Sequence, residues 1–155
     1  MMKAQNSLLI IRQLDDKIGT EGALQQFVLP QDGWINLIRK TLNMSLRQLG
    51  ARMSITPQSL RKIEIREKEG AITLKTLRDA AKALDMELVY TFIPKDGSLE
   101  NMLERKAREM AVKIVTRTST TMKLEDQENS QKRIGQAIED MTAELKREMP
   151  KTLWD

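Results

Sequence analysis

The sequence predicts a mainly α-helical protein, with a central bundle of short helices, one short β-strand, and a helical arm at each end. Three observations predict it. Apolar residues recur at spacings of three and four along most of the 155 residues, the period that turns one face of a helix toward a core. Aromatics make up only 3% while Leu, Ile and Met are plentiful, which suits packed helices better than a β-sandwich. Ser or Thr stands just before several of the periodic runs, where a hydroxyl satisfies free N–H groups of a first helical turn.

The first element is an amphipathic helix over residues 3 to 18, with Leu8, Ile11, Leu14 and Ile18 on one side. Gly19 and Gly22 break it, and a connector leads to turn chemistry at Leu29-Pro30-Gln31-Asp32-Gly33. Residues 1–29 therefore form an N-terminal arm and linker. Four short helices follow. Trp34, Leu37, Ile38 and Leu42 make the stripe of the first. Ser45 caps the second, with Gln48 three residues on as a capping box and Leu46, Leu49 and Met53 facing inward. Thr56 caps the third, Pro57 takes its first position, where a missing N–H costs nothing, and Leu60 and Ile63 anchor it. Gly70 ends that stretch, and Thr73 caps the fourth, whose inner face is Leu74, Leu77, Ala81 and Leu84.

Leu88, Val89, Tyr90, Thr91, Phe92 and Ile93 are β-branched, aromatic or apolar and are closed by Pro94, which predicts the one strand. A lone strand leaves its backbone hydrogen bonds unmade. It either pairs with its copy in a second subunit, making these six residues a homodimer interface, or lies on the core as an extended linker. Residues 30–94 make the central domain and 95–155 a C-terminal helical extension. In that extension Ser98 caps a helix to about Val115, and 116–133 reads as a polar linker or frayed helix. Ile134, Ile138, Met141 and Leu145 give a final helix a short heptad seam.

Composition narrows the function. With no Cys and no His, the usual zinc ligands and the commonest general base and nucleophile are missing. No Gly-rich phosphate loop and no framed pair of acids stand in their place, so the expectation is no enzyme, no metal and no cofactor. No apolar run approaches the ~20 residues of a membrane span, and a cytoplasmic protein is expected. Between Trp34 and Lys68 eight basic side chains face two acidic ones, a net +6 against +4 for the whole chain. The positive field is concentrated where counterion release from DNA would use it.

The second and third central helices are separated by three or four residues, as a helix-turn-helix requires, at about residues 34 to 69. Gly50 is small where the two approach, and Leu49, Met53, Ile55, Leu60 and Ile63 form the wedge between them. The outward positions of the third helix are Gln58, Ser59, Arg61 and Lys62, each able to reach base edges or phosphates. Arg66 lies one turn further along.

The stretch from Ser45-Leu46-Arg47-Gln48-Leu49-Gly50 through Thr56-Pro57-Gln58-Ser59-Leu60-Arg61-Lys62-Ile63-Glu64 resembles the Xre/phage-repressor type of helix-turn-helix, a lambda-repressor-like bundle. Gly33-Trp34-Ile35, Thr73-Leu74-Lys75-Thr76-Leu77 and Leu88-Val89-Tyr90 are similar to the family called mobile mystery protein A, regulators paired with a Fic-domain protein. The resemblance implies a repressor binding an inverted-repeat operator in double-stranded DNA. It further implies the antitoxin half of an operon that controls its own promoter, with a Fic-domain toxin as partner. The alternative is a toxin-neutralising module whose DNA binding is secondary. Carried over by position, Thr56, Pro57, Gln58, Ser59 and Lys62 match the contacting slots and Glu64 the closing acid. Pro57 stands where relatives carry a polar base reader, and Ser54 replaces the usual turn glycine. Leu46 stands where a phosphate-binding Gln is common, which throws weight onto Arg47 and Gln48. The Fic-inhibitory pattern, Ser or Thr four residues before Glu-Gly or Glu-Asn, is absent: Lys17, Ile65, Asp96 and Leu124 stand at those places.

Overall fold

The computed structural model of the chain describes residues 2–18, 28–119 and 127–155. They contain α1 (Met2–Ile18), α2 (Trp34–Thr41), α3 (Leu46–Arg52), α4 (Pro57–Lys68), α5 (Leu74–Ala83), α6 (Leu99–Ser119), α7 (Gln127–Glu148) and a terminal 3₁₀ turn (Lys151–Trp154). The helix-breaking pair Gly19 and Gly22 lies outside the described residues. Two compact units divide the chain, a central one of Phe27–Thr91 and a flanking one of Met1–Gln26 with Phe92–Asp155.

The central unit begins at a turn closed by Gly33 N–H to Pro30 O, 3.1 Å. Gly33 holds φ 85 there, a conformation glycine reaches without a Cβ penalty. The core is Ile35, Leu49, Leu60, Ala80 and Leu84, with Ile38, Leu46, Met53, Ile55, Ile63 and Leu77 packed around it. Burying a side chain such as Leu49 or Leu60, each at 0% exposure, contributes roughly 1.5–3 kcal/mol. The expected stripe of α2 is corrected. Its inward side chains are Ile35, half-buried Ile38 and Arg39, while Trp34, Leu37 and Leu42 are exposed. The reason is Glu64 of α4, which draws the Arg39 guanidinium into the interior by two hydrogen bonds, 2.6 and 3.1 Å. An apolar stripe read from the sequence has no way to include an arginine.

The expected strand is corrected too. Met86 to Pro94 form neither helix nor strand, and no strand occurs among the described residues. Among the described residues Leu88–Ile93 meets no second strand, so no ladder closes there. Leu88 is half-buried, whereas Val89, Tyr90, Thr91, Phe92 and Ile93 are exposed.

In the flanking unit α6 packs along α7, and α1 rests on both. Leu103, Ala107 and Ala111 recur every four residues on α6 and are buried with Leu145 and Leu153. The two alanines let the backbones come close. Of the stretch 116–133, read as a linker or a frayed helix, 116–119 and 127–133 are helical, and 120–126 lie outside the described residues. Helix α6 starts where buried Asp15 of α1 accepts the N–H groups of Leu99 (2.7 Å) and Glu100 (3.1 Å). Ser98 Oγ accepts that of Asn101 (3.0 Å). A negative group at this end also opposes the positive pole of the helix dipole.

Candidate nucleic-acid interface

Local chemistry places α3 and α4. Ser45 Oγ accepts the Gln48 N–H (3.1 Å) while Gln48 Oε1 accepts the Ser45 N–H (2.8 Å), closing the capping box. The turn that follows crosses Ser54 in the left-handed region at φ 57, which costs an L-residue about 1 kcal/mol. It returns the Ile55 N–H to Gly50 O at 2.9 Å. A Cβ on Gly50 would stand 3.0 Å from the Ile55 carbonyl oxygen, so only glycine lets the turn close this tightly. Thr56 Oγ1 then accepts the Ser59 N–H (3.1 Å) and donates to Ser59 Oγ (2.9 Å), with Pro57 at the first helical position.

Three ties hold α4 against the start of α2. Glu64 receives Arg39 and, at 2.8 Å, the Asn36 side chain. Glu67 accepts the backbone N–H groups of Trp34 (2.7 Å) and Ile35 (3.0 Å), the cap that Gly33 has no side chain to supply. Lys68 reaches Asp32 at 2.8 Å, and that contact holds the Asp32 carboxyl below its ordinary pKa and the lysine above its own. Glu67 was missed by sequence reading, because its targets lie 32 and 33 residues away.

What remains points outward. Gln58, Ser59, Arg61, Lys62 and Arg66 are exposed on α4, and Arg47 is exposed on the first turn of α3. Arg47, Arg61, Lys62 and Arg66 enter no ion pair among the described residues. The eight bases counted over this stretch are not equivalent. Arg39 is spent on Glu64, Arg52 on Asp85 (2.6 Å) and Lys68 on Asp32. Gln48 uses its carbonyl oxygen in the cap, leaving its NH₂ to donate, and the Thr56 hydroxyl is used within the cap. Pro57 is half-buried. Ile65, exposed beside Arg61, joins this surface; its exposure is a tertiary fact with no signal in the apolar spacing. A groove of about 360 Å³ runs past Arg61 and Ile65 to Lys40 of α2. Such a face offers hydrogen-bond donors, positive charge and one apolar contact.

No group of three or more His, Cys, Asp or Glu able to hold a metal occurs among the described residues. No helix described is long and apolar enough to cross a membrane.

Residues 35–90 match the model of a helix-turn-helix family, a span that runs from α2 to the end of the central unit. The family is one of DNA-binding transcription regulators, and the matched segment is a helix-turn-helix domain. No curated protein and no solved structure matches the chain.

Proposed function

We propose that the protein is a sequence-specific transcriptional repressor that lays α4 in the major groove of an inverted-repeat operator. The observation that carries this is the unpaired, exposed set of Gln58, Arg61, Lys62 and Arg66 on a helix whose opposite side is locked by Glu64 and Glu67. Gln58 suits the paired donor and acceptor of adenine, Arg61 or Lys62 the two acceptors of guanine, and Ile65 the thymine methyl. Arg47, with the Gln48 NH₂ beside it, is placed for phosphates. Gel shifts on the protein's own promoter test the reading. Gln58→Ala or Arg61→Ala relaxes preference at single base pairs, by about 1–3 kcal/mol each, whereas Arg47→Ala weakens all sequences alike and lowers the salt slope by about 1. Tight binding that ignores sequence, or none at moderate salt, overturns it.

The same reading takes the promoter to be that of a toxin–antitoxin operon, with this chain as the antitoxin and a Fic-domain protein as the toxin. Its support is the resemblance around Gly33-Trp34-Ile35 and Thr73 to Leu77. A second reading, toxin neutralisation through the flanking unit, is favoured by Leu9, Ile10 and Leu14, which are exposed on α1. Co-purification with the product of the neighbouring reading frame, lost on Leu14→Glu, supports it. Retention by that variant counts against α1 as the clamp.

A further inference from the structure

The groove between α2 and α4 holds charges that the readers on α4 do not account for. Lys40 of α2, Arg61 and Lys68 of α4 and the Asp32 carboxylate all line it, with Ile65 on its wall. Arg61 and Ile65 belong to the outer face of α4 as well, so the groove opens onto that face. Of its two acids, Glu64 is buried under Arg39 and Asn36, whereas Asp32 is exposed. Lys68 Nζ donates to Asp32 Oδ1 at 2.8 Å. That hydrogen bond, then the charge of Lys68 and lastly the charge of Lys40, hold the Asp32 carboxyl below its ordinary range. Two lysines from two helices thus act on one anion beside the reading surface. The Asp32 side chain is 59% and the Lys68 side chain 53% exposed, and a pair so open to water contributes little to folding. Lys40 enters no ion pair among the described residues.

We propose that Asp32 stands in the place of a DNA phosphate: when α4 enters the major groove, a backbone phosphodiester takes over Lys68 and Lys40 and displaces the carboxylate. The two groups are alike where it matters. Each spreads one negative charge over two acceptor oxygens, so each forms the same charge-assisted hydrogen bonds to an ammonium group. The exchange leaves α4 in position, because Glu64 and Glu67 still tie it to α2. Its consequence is a brake on binding. While Asp32 keeps Lys68, that cation is withheld from the duplex, and an arriving phosphate also meets the carboxylate's own charge. Phosphate contacts carry no sequence information, so the brake acts on every sequence alike and keeps the protein from being held by DNA that lacks the operator.

The inference rests on the reading of α4 as the DNA-facing helix and adds a contact on its α2 side. The test is fluorescence anisotropy of the full-length protein with two labelled duplexes, its own promoter and a scrambled sequence of equal length, over a range of salt. Asp32→Asn keeps the side chain's size and should tighten both duplexes about 3- to 10-fold at low salt. Lys40→Ala should weaken both and lower the salt slope by about 1. Lys68→Ala should cost about threefold more in the Asp32→Asn background than in the wild type, because only there is the lysine free beforehand. Thermal melts should superpose for all variants; a merely structural Asp32–Lys68 pair would instead make Asp32→Asn melt earlier and bind less. Unchanged or weaker binding by Asp32→Asn, or an equal cost of Lys68→Ala in both backgrounds, overturns the proposal while the wild type's preference for its promoter keeps the repressor reading. Tightening by Asp32→Asn with no preference for the promoter supports the proposal and defeats sequence-specific reading instead. No binding of either duplex by the wild type or Asp32→Asn defeats both.

Discussion

The two units spend their charges differently. The central unit carries eleven basic and seven acidic side chains, a net +4, and the flanking unit fifteen of each, a net zero. In the flanking unit the cations are turned onto their own neighbours. Glu100 takes Arg12 and Lys146, both at 3.1 Å, tying α1, α6 and α7 together, while Arg108 meets Glu139 and Arg105 meets Asp96 and Glu109. In the central unit the deep Arg39–Glu64 pair holds α4 together with the Glu67 cap and the Lys68–Asp32 pair, and Arg61, Lys62 and Arg66 on its outer face enter no ion pair among the described residues. A helix kept in place by inner-side carboxylates can keep its outer side for an external anion. Surface pairs are individually worth little, about 0–1 kcal/mol, so the flanking unit relies on its alanine-lined core and on the cap from Asp15.

The largest blow to this contrast is Glu64→Ala. It leaves Arg39 buried without its counter-charge and should cost the central unit about 3–5 kcal/mol. Each unit has one tryptophan, Trp34 and Trp154, so urea titrations of single-tryptophan variants can separate them. The loss should appear at Trp34, and an equal loss at Trp154 would mean that the units melt as one. Next comes Gly50→Val, about 2–3 kcal/mol on the Trp34 transition, because its side chain drives into the Ile55 carbonyl; a neutral result would show that the turn gives way. Smaller is Asp15→Ala, which should lower the Trp154 transition by about 1–2 kcal/mol with operator affinity per folded molecule unchanged.

Acid should have an effect of similar size to the loss of the Asp15 cap. Hydrogen bonds from Arg12 and Lys146 hold the Glu100 carboxyl down from its ordinary 4.5 to about 2. A lowered folded-state pKa gives stability that is present above pH 4.5 and lost as the pH falls toward 2. The Trp154 transition should therefore lose about 1–2 kcal/mol across that window, the pair being partly solvated. Glu100→Gln should flatten the acid limb, and an unchanged limb would show that the three-helix tie does not form in solution.

What was legible in the sequence follows from distance along the chain. Ser45 with Gln48, Thr56 with Ser59 and Gly50 with Ile55 act across three to five residues. Their geometry is set by helix and turn conformation alone, so the two-helix motif and the outward set from Gln58 to Lys62 were readable in advance. The buried Arg39, the capping Glu67 and the Asp15 cap depend on partners 25, 32 and 84 residues away, which no local period encodes. Tertiary structure alone decided which of eight bases are spent inside and which face out. A charge count weighs every cation alike, whereas burial and a carboxylate at hydrogen-bond distance do not. The strand marks the converse limit. Leu88 to Ile93 has the composition of a strand, but a ladder needs a second strand, and none occurs among the described residues.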